Sequence, residues 1–169
     1  MGLSDIKKEL NKLDKEKLID LFADLYKKNK SVKEFLDFYA NPNENELFNK
    51  YKEKVYGAFY PKRGYKLKLA DGKKAISDFA KLETSKELHT ELMLYYVETG
   101  IKFTKEFGNI DDPFYNSLSS VYMNALTLMK KENMLSKFAE RSKKIVDSCT
   151  SVRWDFYFNL QNIYGSFYK

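Results

Sequence analysis

The residues best placed to do chemistry in this chain are nine Lys/Arg gathered in residues 50–74, KYKEKVYGAFYPKRGYKLKLADGKK, where they face only Glu53 and Asp71. That segment carries a net charge of +7, so the other 144 residues hold −1 of the chain's +6. A positive field this local attracts phosphate or carboxylate groups, whereas an evenly mixed surface serves mainly solubility. Interleaved aromatics add a second capacity, because a tyrosine ring stacks on a base while a neighbouring lysine meets a phosphate. Lys62, Arg63, Lys66 and Lys68, with Lys73 and Lys74 at the next helix start and Tyr60 and Tyr65 as stacking rings, are the candidate contacts for a nucleic acid or another phosphorylated or acidic partner. A plainer reading competes. Tyr51, Val55 and Phe59 recur at i, i+4 and i+8, as core packing demands, and the lysines are then a solvated face. Arg63 is the only arginine in the segment, and bidentate grip on phosphate is an arginine property, which favours the plainer reading.

Other constellations fall short of a reaction. Glu87, Glu91 and Glu98 nearly share one helix face, as carboxylate ligands do in metal-binding bundles, but the Glu-x-x-His partners of such sites are missing. His89, the only histidine, turns to a different part of that helix. The plain reading makes these glutamates partners for Lys and Arg. Asp78 and Arg141 lie near apolar positions and suit a structural ion pair better than a cleft. A catalytic pocket would have to gather Glu87, Glu91, Asp78 and Arg141. Serines 117, 119, 120 and 148 have no histidine but His89 to activate them, and no Gly-x-Ser-x-Gly turn is present. Gly57, Gly64 and Gly72 are too far apart for a phosphate-gripping loop. Cys149 is alone, which excludes an intramolecular disulfide and a thiolate zinc site, and its place at the end of an apolar stripe makes it a packed thiol. The expectation is no catalytic residue, no cofactor and no metal.

The elements that must position the basic segment are helical. Seven Gly and three Pro in 169 residues are few for a sheet protein with many tight turns. Ser4 opens a short helix to about Leu13, and Asp14 caps a second with Leu18, Leu21, Phe22 and Leu25 at helical spacing. Ser31 with Glu34 reads as a capping box for a third, closed by Asn41-Pro42. Asn43 with Glu46 opens a longer helix that Tyr60-Pro61 stops. PKRGYKLKLADG then reads as a loop with one extended stretch at Tyr65, Leu67 and Leu69. Helix returns near Lys73, and Thr84 with Glu87 caps the next. That helix is apolar on two sides, which implies a central position, and Gly100 within it implies a close crossing or a bend. Gly108-Asn109 ends it. Asp112-Pro113 opens another, a further one carries Leu135, Phe138, Ile145 and Cys149, and the last carries Trp154, Phe156, Leu160, Ile163 and Phe167.

The predicted fold is therefore all-α: a compact irregular multi-helix bundle, or a short α-superhelix of antiparallel helix pairs, with about nine helices. Residues 1–169 read as one helical domain, in which 1–42 form an N-terminal three-helix segment and 61–72 a basic connecting loop. The start MGLSDIKKEL has no apolar core of a secretory signal, and the longest uncharged run, residues 113–129, is too short and too rich in Asn and Ser for a membrane span. No membrane association and a cytoplasmic location are expected.

Several segments, KKELNKLDKEKLIDLFADLYKKNKSVKEFLDFYANP, FYPKRGYKLKL, KAISDFAKL, ELMLYYVETG, FYNSLSSVYMNAL and FAERSKKIV, resemble an uncharacterised family of small bacterial proteins known as a domain of unknown function. The resemblance spans essentially the whole chain. Where similar sequences carry a Gly-Trp-Gly-Phe-His-like stretch, this chain has VRWDFYFNL, keeping Trp154 and Phe156 without the glycines or the histidine. The resemblance implies a bacterial, cytoplasmic protein and brings no reaction, cofactor or site motif. With an excess of Tyr and Phe for so small a domain, the first expectation is a non-enzymatic module that binds another protein, because interfaces favour aromatics. The alternative is a nucleic-acid or phosphorylated-ligand binder acting through residues 50–74.

Overall fold

A computed structural model describes residues 2–64 and 66–168. Among them are nine α-helices and no strand: α1 (Leu3–Leu10), α2 (Lys15–Lys28), α3 (Lys30–Ala40), α4 (Glu44–Phe59), α5 (Leu69–Ala80), α6 (Lys86–Phe107), α7 (Asp112–Lys131), α8 (Leu135–Asp147) and α9 (Trp154–Gly165). The all-helical expectation holds. The chain divides into two compact units, residues 1–43 and 44–169.

In the first unit local hydrogen bonds set the helix starts. Asp5 reaches back to accept from the Gly2 N–H at 2.9 Å, so α1 begins before Ser4, which lies inside its first turn. Asp14 caps α2 as predicted, accepting from the Lys17 N–H at 2.8 Å. The cap of α3 is Asn29, not Ser31: its Oδ1 accepts from the Ser31 N–H at 3.0 Å and the Val32 N–H at 3.3 Å, because the helix starts at Lys30. α2 packs on α3, and Tyr26 ties them by donating to Asp37 at 2.7 Å. None of α1, α2 and α3 contains a buried residue. Leu3, Ile6, Ile19, Phe22 and Leu25 are all exposed.

The second unit is organised around α6, which packs against α4, α5, α7 and α8, while α9 lies on α7 and α8. The two apolar sides of α6 thus each find a neighbour, and Leu92, Leu94, Tyr96 and Val97 are wholly buried. Gly100 marks the predicted close crossing. A Cβ there would meet Leu118 Cδ1 of α7 at 2.9 Å and Phe59 Cε1 of α4 at 3.1 Å. Tyr96 donates or accepts across the same contact with Ser117 at 2.8 Å, so the buried phenol keeps a polar partner.

Several sequence expectations shift. The basic loop covers residues 61–68 and not 61–72, because α5 starts at Leu69. The Lys68 N–H donates to the Ala58 carbonyl at 2.8 Å, which pins the returning chain to the end of α4 and lets the Asp71 and Gly72 N–H groups bond back to the Lys68 carbonyl. Gly72 is a packing glycine inside a helix: a Cβ would lie 2.8 Å from the Tyr96 ring and 3.0 Å from Ala58 Cβ. Leu67 is irregular and Leu69 helical, so neither belongs to an extended stretch; Tyr65 lies outside the described residues. The cap of α6 is Ser85, accepting from the Leu88 N–H at 3.3 Å, while the Thr84 hydroxyl turns back to the Phe79 carbonyl. Asp111 caps α7, one residue before the predicted Asp112, and Pro113 sits in the first turn. Trp154, read as part of the last helix, is its first residue and is 74% exposed, while Phe156, Leu160 and Ile163 of that helix are buried.

Candidate anion-binding groove

The core stripe of α4, Leu47, Tyr51, Val55 and Phe59, is buried throughout. One residue further round the helix runs a second stripe at the same spacing, Lys52, Tyr56 and Tyr60, which the first stripe forces outward. With Tyr95 of α6 it walls a groove of about 980 Å³, whose other lining includes Lys50, Lys54 and Lys62 against Glu53. Lys52 Nζ stands 4.7 Å from the Tyr95 ring centre and 5.6 Å from that of Phe48, so its ammonium is held over aromatic faces.

The tyrosines form a braced stack. Tyr56 and Tyr60 lie parallel, centroids 4.6 Å apart at 14°. Tyr60 donates its hydroxyl to Glu106 at 2.6 Å and meets Phe103 edge-on at 5.4 Å. Burial, the hydrogen bond to Glu106 and that carboxylate's charge push the Tyr60 phenol well above its ordinary range, so it remains a neutral donor. Tyr56 is the outer ring, 41% exposed. The groove can therefore offer positive charge and an accessible π-face side by side.

The predicted contacts do not all meet there. Tyr60 and Lys62 line the groove, but Tyr60 is the inner ring of the stack. Arg63, Lys66 and Lys68 are exposed along the 61–68 loop, outside the groove lining. Lys74 pairs with Asp78 at 2.6 Å. Lys73 lines a separate hollow of about 290 Å³ with His89, Met93 and Asn124. Lys52, Tyr56 and Tyr95 were not singled out by sequence. The signal for Tyr56 was present, since it is four residues before Tyr60 and one residue out of register with the core stripe.

The acidic and basic residues of α6 and α8 form a different arrangement. Arg141 of α8 donates through Nε to Glu98 at 2.7 Å and through Nη2 to the same carboxylate at 2.9 Å, and through Nη1 to Glu91. Burial opposes the guanidinium charge, but the hydrogen bonds and charges of Glu98 and Glu91 outweigh it and raise its pKa. Glu87 pairs with Lys137 at 2.5 Å, and Asp78 with Lys74 and Lys81 of its own neighbourhood. Asp78 and Arg141 are thus engaged separately, and the glutamates serve as ion-pair partners. Among the described residues no three His, Cys, Asp or Glu side chains come together as metal ligands. Cys149 is fully buried, donates to the Ile145 carbonyl at 3.3 Å, and burial pushes its thiol up to about 12. Burial, with Lys86 nearby, lowers the His89 pKa. No helix among the described residues is long and apolar enough to cross a membrane.

Fold and groove together define an all-helical protein with a cationic, tyrosine-walled surface groove. The chain belongs to DUF6155, a family of unknown function, whose model matches residues 1–168. No curated protein and no solved structure matches it.

Proposed function

We propose that the chain is a non-enzymatic helical module of the bacterial cytoplasm that acts by binding another protein. The observation that carries this reading is the apolar surface of α1 and α2, where Leu3, Ile6, Ile19, Phe22 and Leu25 recur at helical spacing and are exposed. Helices of 8 and 14 residues gain most of their stability in proteins from covering such a face. Exposed apolar side chains gathered within a short helix are also a mark of interaction sites. The test is capture from bacterial cytosol with the full-length chain and with an Ile19→Glu, Phe22→Glu variant. The expected result is a discrete protein retained by the first and lost with the second. Equal retention by both, or none above background with either, counts against the reading.

The groove favours a second reading, binding of a nucleic acid or phosphorylated ligand through the basic segment. Lys50, Lys52, Lys54 and Lys62 line one groove with a single acidic side chain, Glu53, among its walls. Arg63, Lys66 and Lys68 extend the positive charge along the adjoining loop. Reversing Lys62, Arg63, Lys66 and Lys68 to Glu should abolish binding to a phosphate-bearing ligand, and unchanged affinity in that variant refutes this surface.

A further inference from the structure

Within that second reading, on which this inference rests, we infer that the groove along α4 takes a single-stranded nucleic acid, with one base stacked on the outer face of Tyr56. Tyr56 already lies parallel on Tyr60 at 4.6 Å, so a base on its other side would extend an existing stack by one ring. The platform is fixed before any ligand arrives. Tyr60 is held by Glu106 at 2.6 Å and by Phe103, which itself lies 6.1 Å from the buried Phe114, so the stack runs back into the core. The braced inner ring gives Tyr56 a fixed surface to lie on, which lessens the freedom lost on binding.

The chemistry discriminates between anionic partners. A paired duplex keeps its base faces covered by neighbouring pairs, and an acidic peptide or a polyphosphate has no π-face. Among polymeric anions, an unpaired strand supplies phosphates and open bases together. The groove's volume of 980 Å³ lies at the upper end of the range for ligand sites, which leaves room for a nucleotide and its flanking phosphates beside Lys52 and Lys62. Among the described residues no arginine lines the groove and Asn49 is its one amide side chain, so stacking, which every base offers, outweighs base-edge readout.

The test is fluorescence anisotropy of the full chain with a labelled mixed-sequence single strand, at low and physiological salt. The same sequence as a duplex, inorganic polyphosphate and polyglutamate serve as competitors. The expected result is a single-strand affinity that falls with salt and exceeds duplex affinity. Tyr56→Ala should weaken the single strand about 5- to 150-fold, the loss of one stacked base, and leave polyphosphate competition unchanged. Tyr56→Phe, which keeps the ring, should bind as the parent does, and a far-ultraviolet circular dichroism spectrum shows whether each variant is folded. Duplex or polyphosphate binding as tight as the single strand, with Tyr56→Ala silent, overturns the stacking inference and leaves the phosphate reading standing. Polyglutamate competing as well as the single strand overturns it in favour of an acidic protein. Absence of binding to every polyanion overturns both.

Discussion

Residues 2–43 and the rest of the chain are written in the same helical pattern, yet only one of them has an interior. α2 places Leu18, Leu21, Phe22 and Leu25 as regularly as α4 places Leu47, Tyr51, Val55 and Phe59. All four of the α4 residues are buried, whereas Leu21, Phe22 and Leu25 are exposed. The difference lies in enclosure. α4 meets both α5 and α6, and α6 in turn is covered on two sides, while α2 is paired with α3. An apolar stripe decides that a segment is helical and which way it faces. Burial requires enough neighbours to surround that stripe.

The strongest way to break this comparison is a matched pair of truncations. Phe59→Ala, at a fully buried ring touching Tyr96 and Phe114, should lower stability by about 3–5 kcal/mol in a urea titration. Phe22→Ala, at a residue 53% exposed, should change it by less than about 0.5 kcal/mol. Equal losses would show that α2 has an interior after all.

Glycines sharpen the contrast within residues 44–168. Gly100→Ala drives a methyl into Leu118 and Phe59 and should cost about 1–3 kcal/mol, despite the better helix propensity of alanine. Gly57→Ala, where a Cβ meets nothing within 4 Å on the outer side of α4, should instead stabilise by about 0.5–1 kcal/mol. The same denaturation midpoints measure both, and effects of one sign would remove the distinction between a crossing and a free surface.

The smallest effect is a titration. Burial and the nearby Lys86 lower the His89 pKa, so the unfolded chain takes up a proton more readily than the folded one. The stability this group contributes is complete above its ordinary pKa, about 6.5, and is lost as pH falls from there through the lower folded value. Thermal midpoints measured between pH 8 and 5 should decline more steeply for the parent than for His89→Asn. Identical slopes would place the imidazole in open solvent. Because His89 is the only histidine, this component belongs wholly to the unit built around α6.

Helix ends were largely legible in the sequence because capping is local. Asp14, Tyr60-Pro61 and Gly108 act where they were read, the last at φ 86°, a left-handed conformation that suits glycine. Ser31, Thr84 and Asp112 were displaced by one or two residues because neighbouring Asn29, Ser85 and Asp111 compete for the same N–H groups. The start of α5 was hidden for a different reason. Gly72 resembles a turn residue in the sequence and is required by the ring of Tyr96, a residue 24 positions away that only the folded chain brings near. Of the groove, the charge was visible in the sequence and the wall was not. Tyr95 reaches α4 only through the packing of α6, and the parallel stack of Tyr56 on Tyr60 depends on Glu106 and Phe103 holding the inner ring.

The outward position of Trp154 governs how unfolding of this protein can be observed. Its indole is the chain's only one and stands 74% in solvent, touching Phe158 edge-on at 5.9 Å. Its emission should therefore be that of a wetted chromophore already in the native state, and melting of the interior should barely change its colour. Tyr51, Tyr96 and Tyr122, sealed from water, carry the optical record of that event, and a near-ultraviolet dichroism band from them should vanish while the tryptophan signal stays almost still.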